Sequence, residues 1–218
     1  MKGQKIKPNI LSVRLISNLS QDIFHTLRLS AGQRSIGIVT ADSDDVLYTA
    51  LDEATKDAQV EVVYAKSMYA GADNATTKYA GEAIGIIAGT TPDEVKSGLK
   101  SIMNYFESGD SFVSANEDDS VVYYAHTVSR TGSYLSKCAD IKEGEALAYL
   151  IAPPMEAVYG LDAALKAADV ELKVFFEPPS ETNFGGGLLT GTQSACQAAC
   201  MAFAQAVSDA AQNPVYLA

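Results

Sequence analysis

The sequence predicts an α/β protein, an α+β sandwich in which helices pack on sheets, made of two tandem copies of one unit. The main observation is an internal repeat: LDEATKDAQVE at residues 51–61 and LDAALKAADVE at 161–171 are identical at seven of eleven positions. The second observation is that short β-branched runs and stretches of helical period follow one another in the same order in both copies. This alternation is typical of helices packed on a sheet.

The repeat extends well beyond these two phrases. Upstream, at the same offset of 110 residues, 10–18 matches 120–128. Downstream the offset falls to 101, because the second copy is nine residues shorter in the loop that follows its third strand. We therefore expect two domains of similar fold, the first at 1–110 and the second at 111–218.

Each copy is predicted to run strand, strand, helix, strand, strand, helix. The strand predictions depend on short β-branched runs bounded by turn residues, such as IGIVT at 36–40 and VEVVY at 60–64. The predicted elements are 11–18, 35–41, 46–58, 60–67, 82–88 and 92–107 in the first copy, and 121–128, 146–152, 155–168, 170–176, 186–190 and 193–211 in the second.

The first helix of the first copy is predicted from a four-residue period. Its apolar face is formed by Val46, Ala50, Ala54 and Ala58, with leucines beside them. Small alanine side chains would let this helix lie close to a sheet.

The closing helix of the first copy has a clear apolar stripe and a clear start. Thr91 is the expected N-cap, Pro92 occupies the first turn, and Glu94 follows the cap by three residues, as in a capping box. The stripe consists of Val95, Leu99, Ile102 and Phe106.

Composition limits the possible partners. The formal net charge of −11 argues against nucleic-acid phosphate and favours cationic or neutral ligands, although acidity also simply keeps a protein soluble. No signal-peptide pattern and no membrane-spanning run is present, so we expect a cytoplasmic protein with no membrane partner. Three cysteines without framework spacing fit a reducing compartment.

The familiar catalytic and metal-binding patterns are absent from the sequence. Cys196 and Cys200 are four residues apart on a helix, but the repeat aligns them with the apolar stripe of the first copy, so we predict core residues and no metal site. His25 and His126 have no second ligand at zinc spacing. NFGGGLLTG at 183–191 has no lysine, so it indicates a close backbone approach and no phosphate cradle. We expect no cofactor.

One acidic turn distinguishes the two copies. TADSDDV places Asp42, Asp44 and Asp45 just before the first helix, where one or two carboxylates would be explained by helix capping. The second copy has only Glu156 at the corresponding turn, and it has glycine where the first copy has Glu82. The fold therefore does not require this acidity, which suggests a function for it.

Nearly the whole chain resembles the EutL family, the tandem-domain shell proteins of the ethanolamine-utilization bacterial microcompartment. The motifs that carry the resemblance span most of the chain. They are TADSDDV (40–46), LDEATKDAQVEVVYAKSMYAG (51–71), VSRTGSYLS (128–136), LAYLIAPPMEAVYGLDAALKAADVEL (147–172), ETNFGGGLLTGTQSAC (181–196) and NPVYLA (213–218).

The resemblance implies a shell protein and no enzyme. Each half would be a circularly permuted microcompartment shell domain, and three chains would form a homotrimer of pseudohexagonal outline that tiles a shell together with other shell proteins. The resemblance also implies a central pore that opens and closes by rearrangement of the loops 68–81 and 178–186. The residues expected in these gating loops are Tyr69, Asn74, Thr182, Asn183 and Phe184.

A smaller acidic pore in each subunit is also implied, with ethanolamine as its ligand. The matching positions are Asp45, Glu82 and Phe112, with Asp44 nearby. Ethanolamine is a protonated amine at neutral pH, so carboxylates would accept its N–H groups and an aromatic face would add a cation–π contact. Two alternatives are a regulatory oligomer that senses a cationic amine and an enzyme that uses these carboxylates as acid and base.

Overall fold

The computed structural model describes residues 2–68, 82–178 and 183–215, and these form two compact units. The first unit combines the described part of Pro8–Asp110 with Gly132–Leu135. The second unit combines the described parts of residues 1–7, 111–131 and 136–218.

In chain order the elements are β1 Lys5–Ile6, β2 Ile10–Ile16, α1 Gln21–Thr26, β3 Ser35–Ala41, α2 Asp44–Asp57, β4 Glu61–Met68, β5 Glu82–Gly89, α3 Pro92–Ser108, β6 Phe112–Ser114, β7 Val122–Val128, α4 Ser133–Ala139, β8 Ala146–Ala152, α5 Pro154–Ala167, β9 Val170–Phe176, β10 Gly185–Gly191 and α6 Gln193–Gln212.

Each unit contains one sheet, and the two sheets repeat the same strand order. In the first unit the order is β2-β3-β5-β4, and in the second it is β1-β6-β7-β8-β10-β9. The four strands β7-β8-β10-β9 are the counterparts of β2-β3-β5-β4. All recorded pairings between the described strands are antiparallel. Helix α2 therefore connects two strands that are not neighbours, because β5 lies between β3 and β4.

The twelve predicted elements are all present, with boundaries that differ by a few residues at most. The sequence did not predict four short elements. These are β1 with two residues, α1 with six, β6 with three and α4 with seven. Elements this short carry too few residues for a period to be recognised.

The helix predictions of the first unit are confirmed in detail. Val46, Ala50 and Ala54 are completely buried, whereas Ala58 is the half-buried C-cap of α2. Helix α3 starts with the predicted capping box between Thr91 and Glu94. The close approach of helix and sheet also depends on glycines in the strands.

Gly85 in β5 illustrates that close approach. A Cβ atom at Gly85 would lie 2.7 Å from Cδ1 of Leu51 on α2, and one at Gly37 in β3 would lie 2.8 Å from Cγ of Leu99 on α3. Both distances are shorter than any normal van der Waals contact. The helices of this unit therefore pack against strand positions where the absence of a side chain allows the close approach.

The core of the second unit contains the two cysteines that sequence analysis assigned to it. Cys196 and Cys200 are buried in one cluster with Phe203 and Val207 of the same helix, as predicted. Burial raises the pKa of the Cys196 thiol, although backbone hydrogen bonds oppose the shift. A thiol held in its neutral form behaves as a small apolar side chain.

The glycine-rich stretch of the second unit also behaves as predicted. Gly186 has a φ of 155°, and a Cβ atom there would lie only 1.9 Å from the carbonyl oxygen of Leu150 in the neighbouring strand β8. The stretch is thus the start of β10 in close backbone contact with β8.

Candidate functional site

The acidic turn of the first unit lies where β3 ends and α2 begins. Ala41 is the last residue of the strand, Ser43 is the N-cap, and Asp44 and Asp45 form the first turn of the helix. Carboxylates are favoured at this position because the helix dipole is positive at its N-terminus. Both are nevertheless unusual, since Asp44 is only 5% exposed and Asp45 only 6%.

Asp42, the first acidic residue of the turn, has a structural partner. Its Oδ1 accepts a hydrogen bond from the backbone N–H of Asn9 at 2.7 Å, and its Oδ2 accepts one from the Asn9 side-chain amide at 2.8 Å. The Asp42 backbone N–H donates in return to the Asn9 carbonyl. Asp42 therefore joins the turn to the residue just before β2.

The carboxylate of Asp44 is held by groups of its own unit. Ser67, the penultimate residue of β4, donates from Oγ to Asp44 Oδ2 at 2.6 Å, and the Asp45 backbone N–H donates to Asp44 Oδ1 at 3.0 Å. Tyr48, one turn further along α2, makes a 2.8 Å hydrogen bond with the same Ser67 hydroxyl. The polar chain Tyr48–Ser67–Asp44 thus connects the start of the helix to the end of the strand.

Burial raises the pKa of Asp44 above its ordinary value of 3.8, while the hydrogen bond from Ser67 and the one from the Asp45 backbone partly oppose this effect. Removal from water disfavours the charged form of a carboxyl group, and hydrogen bonds to the carboxylate favour it. Asp44 was expected near the ligand-binding positions. The structure shows that its carboxylate accepts hydrogen bonds from Ser67 and from the backbone of Asp45.

Asp45 follows Asp44 on the helix, and its backbone carbonyl accepts a hydrogen bond from the Thr49 hydroxyl at 3.0 Å. Its counterpart in the second unit, 110 residues later, is Met155. Met155 is 50% exposed, in contrast to the nearly complete burial of Asp45. The buried carboxylate is therefore specific to the first unit.

Glu82 begins β5, and the sheet register places its backbone at the same end of the first unit. Met68, the last residue of β4, pairs with Glu82. The next residue, Ala83, pairs with both Ala41 at the end of β3 and Ser67 in β4. The backbone of Glu82 is therefore next in sequence to Ala83, which pairs with Ala41, the residue that precedes the acidic turn.

Ser43, the N-cap of α2, was not predicted as a site residue. It is 6% exposed, and its hydroxyl makes no side-chain cap hydrogen bond. Within the part of the chain that the structure describes, the buried Ser43 Oγ has no hydrogen-bond partner. The one signal in the sequence is the repeat, which aligns Ser43 with Pro153.

Phe112 belongs to the second unit, where it begins β6 and is 2% exposed. Its ring lies 5.4 Å from that of Tyr124, tilted by 30°, and 5.8 Å from that of Phe184, edge to face. These packing contacts occupy the ring within its own unit. The cation–π contact expected for Phe112 stays a prediction.

Of the residues expected in the gating loops, the structure describes two. Asn183 is exposed and has a left-handed φ of 63°, and Phe184 is half-buried against Phe112. Tyr69, Asn74 and Thr182 lie outside the described residues.

No metal-binding group and no membrane span is found among the described residues. They contain no cluster of three or more histidine, cysteine or acidic side chains placed to hold a metal ion. None of their helices is long and apolar enough to cross a membrane.

Comparison with known proteins gives the family. The BMC domain model matches residues 35–117. The bacterial microcompartment shell protein EutL of Clostridium perfringens is 65% identical over 99% of both chains, and EutL of Escherichia coli is 49% identical over 96% of both. The crystal structure of ethanolamine utilization protein EutL from Leptotrichia buccalis is 63% identical and matches with a TM-score of 0.95 over 100% of both chains.

These relatives confirm the predicted fold class and the family resemblance. They are structural shell proteins, so the prediction that this chain is not an enzyme is also confirmed, and the acid–base interpretation of the carboxylates is wrong. The chain belongs to the EutL family of bacterial microcompartment shell proteins.

Proposed function

We propose that the chain is a structural shell protein of the ethanolamine-utilization microcompartment and that each subunit has a small acidic pore that binds and passes ethanolamine. The observation that supports ethanolamine as the ligand is the buried acidic pair Asp44 and Asp45, which the second unit lacks. The protein would act in the bacterial cytoplasm, at the shell of the compartment. The names of its relatives, EutL and ethanolamine utilization protein, support this assignment.

The chemistry of the acidic turn suits a protonated amine. An ammonium group donates three hydrogen bonds and carries a positive charge, so a buried carboxylate is a favourable partner for it. We assign the direct contact to Asp45, with Glu82 as the second carboxylate. The net charge of −11 would add a general attraction for cations. Binding is expected to be weak, because a pore must also release its ligand.

Assembly follows from the duplication. We propose that residues 1–110 and 111–218 form two shell domains, so that three chains supply six similar domains and make a homotrimer of pseudohexagonal outline. Such trimers would tile flat layers with other shell proteins. Light scattering coupled to gel filtration is expected to give three times the mass of the 23.0 kDa chain, and a stable monomer would contradict the proposal.

A gated central pore is the remaining part of the proposal. The loops 68–81 and 178–186 would line it, with Tyr69, Asn74, Thr182, Asn183 and Phe184 as the residues that move. Its support is the difference in length between the two copies, which falls in these loops.

The test of the acidic pore is calorimetric titration of the assembled protein with ethanolamine. The double variant Asp45→Asn, Glu82→Gln is expected to lose most of the binding, because both proposed charged contacts become neutral. The matched control is Glu156→Gln, which removes the one carboxylate at the corresponding helix start of the second unit. Undiminished binding by the double variant would remove the pore assignment. Tight ethanolamine binding by a protein that forms no layers would favour a sensing oligomer.

A further inference from the structure

The buried hydroxyl of Ser43 lies in the same turn as the acidic pair but has no hydrogen-bond partner among the residues that the structure describes. Two other helices of this chain show what an N-cap hydroxyl normally does. Thr91 Oγ1 accepts a hydrogen bond from the backbone N–H of Glu94, and Thr192 Oγ1 accepts one from that of Ala195. Ser43 has the extended backbone of an N-cap, with φ −141° and ψ 120°, yet it makes no such bond. Its hydroxyl is thus available for another partner.

Burial of a hydroxyl group without a hydrogen bond is unfavourable, and such groups are rare in native proteins. The fold does not require this one, because Pro153 occupies the corresponding position and caps α5 without a side-chain acceptor. Among the described residues Ser43 Oγ has no partner, although the residue is 94% buried, since 6% of its surface is exposed. A partner from outside the chain would explain why a buried serine is present at this turn.

We propose that Ser43 is a ligand-contacting residue of the acidic pore and that its hydroxyl recognises the hydroxyl group of a small amino alcohol. This inference rests on the proposed binding of ethanolamine at the acidic turn. Asp45 accepts from the ammonium end of the ligand, which can only donate hydrogen bonds. Ser43 Oγ can both donate and accept, and it pairs with the neutral hydroxyl end. Serine and carboxylate two residues apart would therefore select a two-carbon amino alcohol over a simple primary amine.

The experiment compares ethanolamine with ethylamine, which has the same ammonium group but no hydroxyl. Calorimetric titrations of the assembled protein measure both affinities for the parent and for Ser43→Ala. We expect the parent to prefer ethanolamine by roughly three- to tenfold, as one hydrogen bond between neutral groups allows. In Ser43→Ala the affinity for ethanolamine falls by this factor, and that for ethylamine is unchanged.

The control variant is Ser101→Ala, which removes another nearly buried serine hydroxyl. Ser101 Oγ donates to Asp57 Oδ2 at 2.6 Å and is therefore used by the fold. Ser101→Ala is expected to lower the melting temperature and to leave the preference between the two amines intact. Ser43→Ala should do the opposite, with an unchanged or higher melting temperature in the ligand-free protein.

Each contrary result has a definite meaning. Equal losses for both amines would show that Ser43 shapes the turn, no loss would show that only water meets the hydroxyl, and a lower melting temperature without ligand would show a capping role. Any of these overturns the inference. If Asp45→Asn abolishes binding of both amines while Ser43→Ala changes neither, the acidic pore stands and only the role of Ser43 fails. If the parent binds neither amine, both proposals fail.

Discussion

Replacement of Asp52 by alanine is expected to destabilise the protein far more than the same replacement at Asp162, its counterpart in the repeat. Asp52 on α2 is completely buried. Its Oδ2 accepts from the backbone N–H of Gly132 at 2.7 Å, and its Oδ1 accepts from that of Leu135 at 2.8 Å. Both donors belong to the segment Gly132–Leu135, which packs in the first unit. One carboxylate thus holds a segment that is about eighty residues away in sequence.

The expected loss in the free energy of unfolding depends on the groups that each substitution leaves without a partner. Asp52→Ala leaves two backbone donors without their charged acceptor and removes the 3.7 Å ion pair to Lys56, which keeps its pair with Glu53, so a loss of about 3–5 kcal/mol is expected. Asp162 is exposed, and its ion pair among the described residues is the surface pair to Lys166, worth about 0.3–0.5 kcal/mol. Alanine favours a helix by up to about 0.7 kcal/mol in both variants, so this gain cancels in the comparison.

The assay is urea unfolding of both variants and the parent at equal protein concentration, because association shifts apparent stability by mass action. We expect the two variants to differ by about 3 kcal/mol or more in the free energy of unfolding. Amide hydrogen exchange adds a local readout, since the N–H groups of Gly132 and Leu135 should lose protection only in Asp52→Ala. Equal stability of the two variants, or unchanged exchange at these two amides, would refute the reasoning.

Two further predictions concern the acidic turn and the glycine-rich strand. Burial raises the folded-state pKa of Asp44, so the folded protein binds this proton more tightly than the unfolded chain, and stability falls as the pH rises from the ordinary value of 3.8 through the raised one. Asp44→Asn should therefore be more stable than the parent in urea unfolding near neutral pH, and this advantage should shrink toward about pH 4; a constant difference across this range would contradict the assignment. Gly186→Ala should prevent β10 from pairing with β8, because the new Cβ would lie 1.9 Å from the Leu150 carbonyl oxygen. Gly144→Ala is its control, since φ there is also positive, at 93°, but the nearest atom is 3.8 Å away; equal melting temperatures for the two variants would show that the close contact is unimportant.

The repeat allowed most of the fold to be predicted, because two copies of a pattern indicate which positions face the core. The repeat could not predict that the same residue type at one aligned position has different partners in the two copies. Asp52 and Asp162 are identical in the aligned phrases, and the sequence does not show that only Asp52 has distant backbone donors. Their difference depends on the segment Gly132–Leu135, which contacts only the first of them. Contacts between residues so distant in sequence leave no local period to recognise.

The candidate site was predicted through the opposite signal, a difference between the copies. Asp44 and Asp45 were identified because the second copy lacks them, and the structure places both in a buried helix start. Ser43 was missed because a serine before a helix is the ordinary N-cap, and only the structure shows that its hydroxyl is not used for capping. The sequence also did not predict the packing of the Phe112 ring, because its contacts with Tyr124 and Phe184 form only in the folded second unit.

The two helix starts show how a duplicated chain can carry a binding site without loss of a stable scaffold. In the second unit the helix begins with Pro153 and Pro154, whose restricted φ favours the turn and whose side chains bury no polar group. In the first unit the same turn buries Ser43 and two carboxylates, and the burial of polar and charged groups costs free energy that hydrogen bonds must offset. On the proposed function, a single-copy domain would carry these buried groups in every subunit of a ring. With two copies per chain, one helix start would bind the ligand and the other would favour folding, so the positions where the copies differ are those where function is expected.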